Sequence, residues 1–407
     1  MSQQKSVRGK VMLLSEACVL DPNSGAAIEM WTWLQVLQSR GFSCSSVTMS
    51  LFDGTEEFPV KKEIFPELDV AGTVGQRIRS VVNGVEHNIF NTGTTIGPKV
   101  SVELVNGFIK SAAEDIRRIR PDVVIGYGTA NLVPLRKLSQ SLGAKTVFYL
   151  CNPSYDESRQ SSLDAVDAFV VPSDAIGQLY KDREAIQNYQ IIRNRVRPFF
   201  SPRSLSRDLL LARKRHGFIT MINPSLEKGA ALALQIANQS KAQFPNLTYL
   251  MVESRSGQTD VEGYINNANL LQNVWWVQRQ RDMKQVYRRT ALLLVPSLWF
   301  EAAGRVVAEA QLSGIPVLAT DSGGIPEQLN GGGYTFSTPD LGAGYQQIPG
   351  PDVVRPWIDR IGKLITGNDE EYLGECERSL EAAQPFNPSV VDQSIIELIG
   401  TLSQVRA

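Results

Sequence analysis

Residues 292–329 read LLLVPSLWFEAAGRVVAEAQLSGIPVLATDSGGIPEQL. The apolar run from Leu292 to Val295 predicts a buried strand, and a helix is expected to start near Gly304. Pro316 to Ala319 predicts a second strand, which is followed by a glycine-rich turn and another helix start. A strand, a helix and a second strand in this order are typical of a βαβ unit in a parallel sheet.

The same alternation of short apolar runs and helical patterns recurs along the chain. Further strands are predicted at Val11 to Leu14, Asp122 to Ile125, Thr146 to Leu150, Ala168 to Val171, Phe218 to Ile222, Leu247 to Val252 and Val274 to Val277. We therefore expect an α/β chain of two Rossmann-like, doubly wound domains. Because ligands of such folds bind at the carboxyl ends of the strands, the two domains are expected to face each other across a binding cleft.

The length of 407 residues exceeds what a single hydrophobic core usually organises, which also favours two domains. We expect an N-terminal domain over residues 1–197 and a C-terminal domain over 213–385. A stretch near 195–212 that contains prolines and many basic residues is the expected linker. A helix within 386–407 is a candidate to pack back on the N-terminal domain.

Residues 53–100 interrupt the alternation. There, Ile78 to Val82 and Val85 to Phe90 flank Asn83-Gly84, a residue pair that suits a type I′ turn. We expect a β-hairpin near 76–92, inserted in the N-terminal domain close to its side of the expected cleft.

Composition excludes several classes of protein. Lys and Arg number 41 and Asp and Glu number 42, so the net charge is -1, which argues against nucleic acid as the main partner. Four scattered cysteines fit neither a disulfide framework nor a metal motif, and a reducing cytoplasm is the simplest setting. We expect neither a signal peptide nor a transmembrane segment. Peripheral membrane contact stays compatible with the sequence.

Two carboxylates bracket seven residues in the quoted stretch, Glu301 before the expected helix and Glu309 in its second turn. The N–H groups of Gly304, Arg305 and Val306 lie at the positive end of that helix, where a diphosphate is stabilised. Taken alone the two glutamates are a weak signal, because a glutamate near a helix start is often simply solvated.

Two further segments strengthen the signal. Ser322 to Glu327 follows a predicted strand, and Glu227-Lys228-Gly229 follows the strand Phe218 to Ile222. Lys228 is then expected at a junction of strand and helix, where an ammonium group can neutralise phosphate.

This combination resembles the glycosyltransferases of family 4, which have the two-domain GT-B architecture, and the most specific part of the resemblance is residues 217–330. The resemblance implies that a sugar moves from a nucleoside-diphosphate donor to the hydroxyl of a small-molecule, glycan or lipid acceptor, with retention of anomeric configuration. No cofactor is expected beyond the nucleotide-sugar co-substrate. We expect no metal either, because Asp164 and Asp167 precede the strand Ala168 to Val171 and no cluster of carboxylates lies at the end of a strand.

The resemblance also implies roles for individual residues. Glu301 would contact hydroxyls of the transferred sugar, Glu309 the ribose, and Lys228 the diphosphate. Gly323 and Gly324 would belong to the loop behind the donor. Three N-terminal segments match the family as well: Asn23 to Ala26, whose Gly25 would border phosphate and acceptor, Ala168 to Ser173, and Arg193 to Val196.

The sequence departs from the family at three places. Asn223 stands where the family carries an arginine that grips the phosphates, and Arg305 or Arg279 are candidates to replace that charge. Cys151-Asn152 stands where the family commonly has a histidine near the reacting sugar, and Asn152 can donate a hydrogen bond but cannot act as a base. The loop at Gly25 has one glycine where the family often has two.

Two alternatives stay open. The first is a catalytically silent subunit that binds a nucleotide sugar, which Asn223 and Asn152 keep in view. The second is a nucleotide-sugar epimerase of the same architecture. Epimerase chemistry needs acid and base groups close to the sugar, and the only histidines, His87 and His216, are more readily explained as structural.

Overall fold

A computed structural model describes residues 8–22, 24–54, 57, 73–155, 157–254, 257–259, 261, 274–280 and 282–403. The chain divides into two compact units. Unit 1 comprises the described residues of 1–172, 176–195 and 389–407, and unit 2 comprises 173–175 and those of 196–388.

The described residues form an alternating series of strands and helices. The strands, β1 to β14 in chain order, are Lys10–Ala17, Ser43–Leu51, Arg77–Val82, Val85–Phe90, Val123–Gly126, Lys145–Tyr149, Ala168–Val171, Gln190–Ile191, Phe218–Ile222, Tyr249–Val252, Val274–Val277, Thr290–Val295, Val317–Thr320 and Tyr334–Phe336. The helices, α1 to α12, are Gly25–Ser39, Val102–Ile119, Val133–Ser141, Asp174–Asp182, Arg207–His216, Ala230–Ser240, Met283–Arg288, Arg305–Gln311, Ile325–Leu329, Pro351–Thr366, Asp369–Ala382 and Pro388–Ser403.

The sheet of unit 1 has the order β3-β4-β2-β1-β5-β6-β7-β8, and every neighbouring pair is parallel except β3 with β4. Helices cover both faces. On one face α1 and α12 bury Trp33 and Ile395 in a common cluster. On the other, α2 and α3 bury Phe108 and Leu135. Coverage on both faces explains why the central strands read as continuous apolar runs.

The hairpin is integrated more closely than the sequence indicated. β3 and β4 pair in antiparallel register around Asn83 and Gly84, whose φ angles of 50° and 79° are both positive, as a type I′ turn requires. β4 also pairs in parallel with β2, and its residues Val85, His87 and Asn88 are buried. The hairpin therefore continues the main sheet.

The sheet of unit 2 is fully parallel, in the order β11-β10-β9-β12-β13-β14. One face packs on α6 and α10. The alanine-rich start of α6 is completely buried there with Trp357, since small side chains let that helix approach the sheet closely. The other face packs on α7, α8 and α9 through Tyr287, Val307 and Ile325.

The stretch expected as a linker belongs to unit 2. Val196 packs with Phe386, and Phe200 is buried in the same cluster as Tyr287. These apolar contacts place the boundary between the units at Arg195, whereas the sequence analysis expected the second domain to begin at residue 213.

Helix α12 returns to unit 1. It contributes Val391, Ile395, Leu398 and Ile399 to the cluster that also contains Trp33. Asp392 on this helix forms an ion pair with Arg195, and both residues lie in unit 1.

The four cysteines are free thiols. None of the helices among the described residues combines the length and the apolar character that crossing a bilayer requires.

If α12 supports the core of unit 1, shortening one of its buried side chains must destabilise the protein. We expect Ile395→Ala to cost about 2–5 kcal/mol through lost burial and a residual cavity, which lowers the melting temperature by at least about 4 °C. Val390→Ala is the matched control, because Val390 lies on the same helix and is 52% exposed. Thermal unfolding followed by circular dichroism measures both. Equal melting temperatures for the two variants would contradict this packing.

Candidate functional site

The candidate site is built by three loops of unit 2 that follow three neighbouring strands. We call them the β9 loop (residues 223–229), the β12 loop (296–304) and the β13 loop (321–324). Because β9, β12 and β13 are adjacent and parallel, the loops leave the sheet at the same edge.

The β9 and β12 loops are in direct backbone contact. Gly229 has a φ of 85°, and a Cβ atom at this position would lie 1.9 Å from the carbonyl oxygen of Pro296, so only glycine fits. The N–H groups of Leu298 and Trp299 both donate to the carbonyl oxygen of Glu227, at 2.9 and 3.0 Å. This contact fixes Lys228 beside the β12 loop.

The β13 loop fixes the other side of the β12 loop. Gly323 has a φ of 57°, and a Cβ there would lie 2.3 Å from the carbonyl oxygen of Glu301. The N–H of Gly324 donates to that same oxygen at 2.7 Å. The hydroxyl of Ser322 donates to the carbonyl oxygen of Trp299 at 2.6 Å. The backbone at Glu301 is therefore positioned by both neighbouring loops.

The side chains of Lys228 and Glu301 form an ion pair. Lys228 Nζ lies 2.5 Å from Glu301 Oε1, and the two side chains are 27% and 16% exposed. The hydroxyl of Ser297 donates to the same carboxylate oxygen at 3.0 Å. Lys228 was expected to contact the diphosphate and Glu301 the sugar, and the two side chains contact each other directly.

Glu309 lies in the second turn of α8, as predicted, and its two carboxylate oxygens have different partners. Oε2 accepts a hydrogen bond from the hydroxyl of Tyr287 at 2.7 Å. Oε1 lies 3.3 Å from Nε of Arg305, one turn earlier on the helix. Burial raises the pKa of Tyr287 well above 10, and the nearby Glu309 carboxylate raises it further, so the phenol keeps its proton and donates it.

Helix α8 begins at Arg305, directly after Gly304, where the sequence predicted its start. Gly304 precedes the helix with a φ of 20°, and the helix spans only seven residues. Val306 packs against the apolar cluster around Tyr287. The guanidinium of Arg305 pairs with Glu309. Arg305, one of the two candidates to replace the missing arginine, is therefore engaged with a carboxylate. The other candidate, Arg279, is exposed in the segment after β11.

Asn223 has a φ of 59°, in the left-handed region where asparagine is tolerated and most other residues are strained. Its N–H donates to the carbonyl oxygen of Val252, and its own carbonyl accepts from the N–H of Ser225. The backbone conformation at the start of the β9 loop gives a physical reason for asparagine at this position.

Two of the predicted site residues lie in unit 1. Asn152 Oδ1 accepts from the N–H of Ser154 at 3.0 Å and from its hydroxyl at 2.5 Å, and the carbonyl of Asn152 accepts from Tyr180. These bonds orient Asn152 in the loop after β6. Gly25 is the first residue of α1, and a Cβ there would meet nothing within 4 Å. Asn23 lies outside the described residues.

Neither histidine belongs to the three loops of unit 2. His87 is buried in unit 1, where Nδ1 is 2.8 Å from the hydroxyl of Ser46. Burial lowers the pKa of His87 to about 4, so the ring is neutral at physiological pH. His216 is the last residue of α5 and is exposed.

Carboxylates that could hold a metal ion are not clustered in the described part of the chain, where no group of three or more His, Cys, Asp or Glu residues comes together. Asp167 instead accepts hydrogen bonds from Thr146 and pairs with Lys145 at 3.0 Å. These contacts hold the starts of β6 and β7 together.

Sequence reasoning missed Tyr287 and Ser297. Ser297 lies two residues after the predicted strand Leu292 to Val295. A polar residue just after the carboxyl end of a parallel strand could have been recognised as a candidate site residue. Tyr287 lies on α7, one element before β12, and an isolated tyrosine in a short helix gives no indication that its hydroxyl contacts Glu309.

The family model for "Glycosyl transferases group 1" matches residues 205–340, which contain all three loops. A curated relative, spore coat protein SA of Bacillus subtilis (strain 168), is 22% identical over 180 residues. That match covers 42% of this chain and 45% of the relative, so it spans less than half of that protein's length.

Two solved structures are similar over nearly the whole chain. Sucrose-phosphate synthase from Thermosynechococcus elongatus gives a TM-score of 0.71 at 15% identity and covers 98% of this chain and 100% of its own. Anabaena HepE in complex with UDP-glucose gives 0.63 at 17% identity and covers 97% and 100%. At these identities the likeness establishes the fold. Residues 205–340 therefore resemble the glycosyl transferases group 1 family, and the chain has the GT-B fold.

Proposed function

We propose that this chain is a glycosyltransferase of the family 4 type, which moves a sugar from a nucleoside-diphosphate donor to the hydroxyl of an acceptor. We further propose that it retains the anomeric configuration and needs no divalent metal. The observation that carries the proposal is the pairing of Lys228 with Glu301 beside the Tyr287–Glu309–Arg305 group, inside the segment that matches the family.

The donor fits these groups in charge and in chemistry. A diphosphate needs cations, and Lys228 is presented at the junction of β9 and α6, where an ammonium can meet phosphate oxygens. Sugar and ribose hydroxyls need acceptors, and the carboxylates of Glu301 and Glu309 are acceptors. Anabaena HepE, of the same fold, was solved in complex with UDP-glucose, which supports a donor of this class.

Donor binding requires Lys228 to change its partner. The ammonium of Lys228 is paired with Glu301 Oε1. A diphosphate carries more negative charge than one carboxylate and competes for the ammonium, which leaves the Glu301 carboxylate to accept from the sugar hydroxyls. Binding of diphosphate and recognition of the sugar are then coupled through one ion pair.

The chemical step needs little acid or base strength from the protein. The bond between the anomeric carbon and the β-phosphate oxygen breaks, and the acceptor oxygen bonds to that carbon on the same face. The acceptor proton passes to an oxygen of the leaving diphosphate. Lys228 stabilises the charge that develops on this leaving group, and the rigid loops hold the reactants in place. Roles for Asn152 and Gly25 of unit 1 stay predictions of the resemblance.

Incubation of the purified chain with nucleoside-diphosphate sugars tests the proposal directly. We expect release of nucleoside diphosphate, and transfer once a suitable acceptor is present. Tight donor binding without hydrolysis or transfer, across the common sugars and a broad acceptor panel, would instead favour the silent subunit. Interconversion of sugar epimers without release of nucleoside diphosphate would favour the epimerase.

Removal of the Lys228 ammonium must weaken diphosphate binding. A charge-assisted hydrogen bond typically contributes about 1.5–3 kcal/mol, so Lys228→Ala should bind a nucleoside diphosphate about tenfold more weakly or worse. Lys241→Ala is the control, because Lys241 is an exposed lysine at the far end of the same helix, α6. Isothermal titration calorimetry measures both. Unchanged affinity in Lys228→Ala would refute the assigned role.

The two glutamates must respond differently to neutralisation. Glu301→Gln removes the carboxylate that competes for Lys228, so affinity for the bare nucleoside diphosphate should stay equal or rise while turnover of the sugar nucleotide falls. Glu309→Gln should weaken binding of the bare nucleoside diphosphate by about threefold to tenfold, because the amide is a poorer acceptor than the carboxylate. Calorimetry and steady-state kinetics on both variants test this contrast. A similar loss of nucleoside diphosphate affinity in both would show that the assignment of Glu301 and Glu309 is wrong.

Transfer should not depend on a divalent cation, because Lys228 supplies the counter-charge and hard cations prefer clustered oxygen ligands. Activity is measured after exhaustive chelation with EDTA and after addition of magnesium or manganese. We expect the rate to change by less than about twofold, far below the tenfold change that ~1.4 kcal/mol of barrier would cause. Loss of activity on chelation, with recovery on addition of either metal, would sink the idea.

A further inference from the structure

We propose that Tyr287 is a positioning residue that fixes the carboxylate of Glu309 for the ribose diol, and so gives the site its preference for ribonucleoside diphosphates over deoxy analogues. This inference rests on the proposed donor. Tyr287 lies outside the three loops, on helix α7, which precedes β12.

The ring of Tyr287 is held rigidly in the core of unit 2. The residue is 0% exposed and packs in one cluster with Leu293 and Val307. Phe199 stacks on its ring, with the centroids 5.1 Å apart and the planes 27° from parallel. Since a packed aromatic ring has few accessible rotamers, its hydroxyl occupies a defined position.

That hydroxyl is directed at the carboxylate. Tyr287 donates to Glu309 Oε2 at 2.7 Å, a short contact between a neutral donor and a charged acceptor. The bond comes from a different element, α7, than the one that carries Glu309, α8. The hydrogen bond from Tyr287 therefore ties the Glu309 carboxylate to a second helix. Residues of α8 alone could restrain it only relative to their own helix.

The second carboxylate oxygen is restrained independently. Oε1 of Glu309 lies 3.3 Å from Arg305 Nε. Two donors, one on each oxygen, fix the carboxylate plane. A carboxylate offers about four lone-pair sites, so about two acceptor sites remain. A vicinal diol supplies two O–H donors, which matches what a fixed carboxylate can still accept.

A structural role alone makes a different prediction. A phenol that only satisfies the hydrogen-bonding needs of a partly buried carboxylate would contribute to stability. Its removal would then lower the melting temperature and leave the preference between ribose and deoxyribose unchanged. The ratio of the affinity for the ribonucleotide to the affinity for its deoxy analogue therefore distinguishes a positioning role of Tyr287 from a purely structural role.

The experiment compares wild type with Tyr287→Phe, which keeps the ring and removes only the hydroxyl. Calorimetry measures the dissociation constants of a ribonucleoside diphosphate, chosen by a thermal-shift screen of the common bases, and of its 2′,3′-dideoxy analogue. We expect Tyr287→Phe to bind the ribonucleotide about threefold to tenfold more weakly and the dideoxy analogue as wild type does. With the sugar nucleotide, KM should rise while kcat stays nearly constant, because the ribose contact is the same in ground and transition states.

Tyr249→Phe is the matched control. Tyr249 is also buried in unit 2, and its hydroxyl donates to Ser240 at 2.8 Å, away from the three loops. This variant should keep the wild-type ratio of affinities. Arg305→Met supplies a second test that does not disturb the core, and it too should lower the preference for ribose.

The outcomes distinguish this inference from the function on which it rests. A wild-type protein that binds no nucleoside diphosphate would overturn the proposed function. A wild-type protein that prefers the ribonucleotide, together with a folded Tyr287→Phe that keeps the same ratio, would overturn the positioning role alone. If Tyr287→Phe does not fold, an unchanged ratio in Arg305→Met would overturn it.

Discussion

The close backbone approach of Gly229 to the carbonyl oxygen of Pro296 is the constraint on which the candidate site depends. A Cβ atom at Gly229 would lie 1.9 Å from that oxygen, so any other residue forces the β9 and β12 loops apart. Gly323 imposes the same condition between the β13 and β12 loops. These two glycines hold the three loops together at one end of the sheet, where Lys228 and Glu301 face each other.

The ion pair at this edge connects structure with function. A partly buried ammonium and carboxylate stabilise each other only modestly, because both lose hydration when they pair. Such a pair can exchange partners when a more highly charged ligand arrives. Glu309 is arranged differently, since Tyr287 and Arg305 hold its two oxygens from separate directions. The carboxylate of Glu301 can thus exchange its partner whereas that of Glu309 is fixed, which fits the roles proposed for them at a reacting sugar and an unreactive ribose.

Much of the fold could be predicted from the sequence. The apolar runs predicted β9 and β11 to the residue. For β9, in the interior of its sheet, the reason is that a parallel strand covered on both faces leaves an uninterrupted apolar signal. Strand β2 was missed, because its serines and threonines read as polar. In the structure all of them except Ser43 are buried, and Ser46 and Ser50 form hydrogen bonds with His87 and Thr92. The contact of Tyr287 with Glu309 and the left-handed φ of Asn223 depend on tertiary packing and have no local signature.

The central claim is that a nucleoside diphosphate binds at the edge formed by the β9, β12 and β13 loops. Hydrogen exchange measured by mass spectrometry, with and without a saturating nucleoside diphosphate, tests it most directly, because bound ligand slows exchange where it orders the backbone. The account predicts slower exchange in peptides that cover residues 223–229, 296–304 and 321–324, with peptides across β3 and β4 unchanged. Saturable binding that left these three loops unprotected would contradict it.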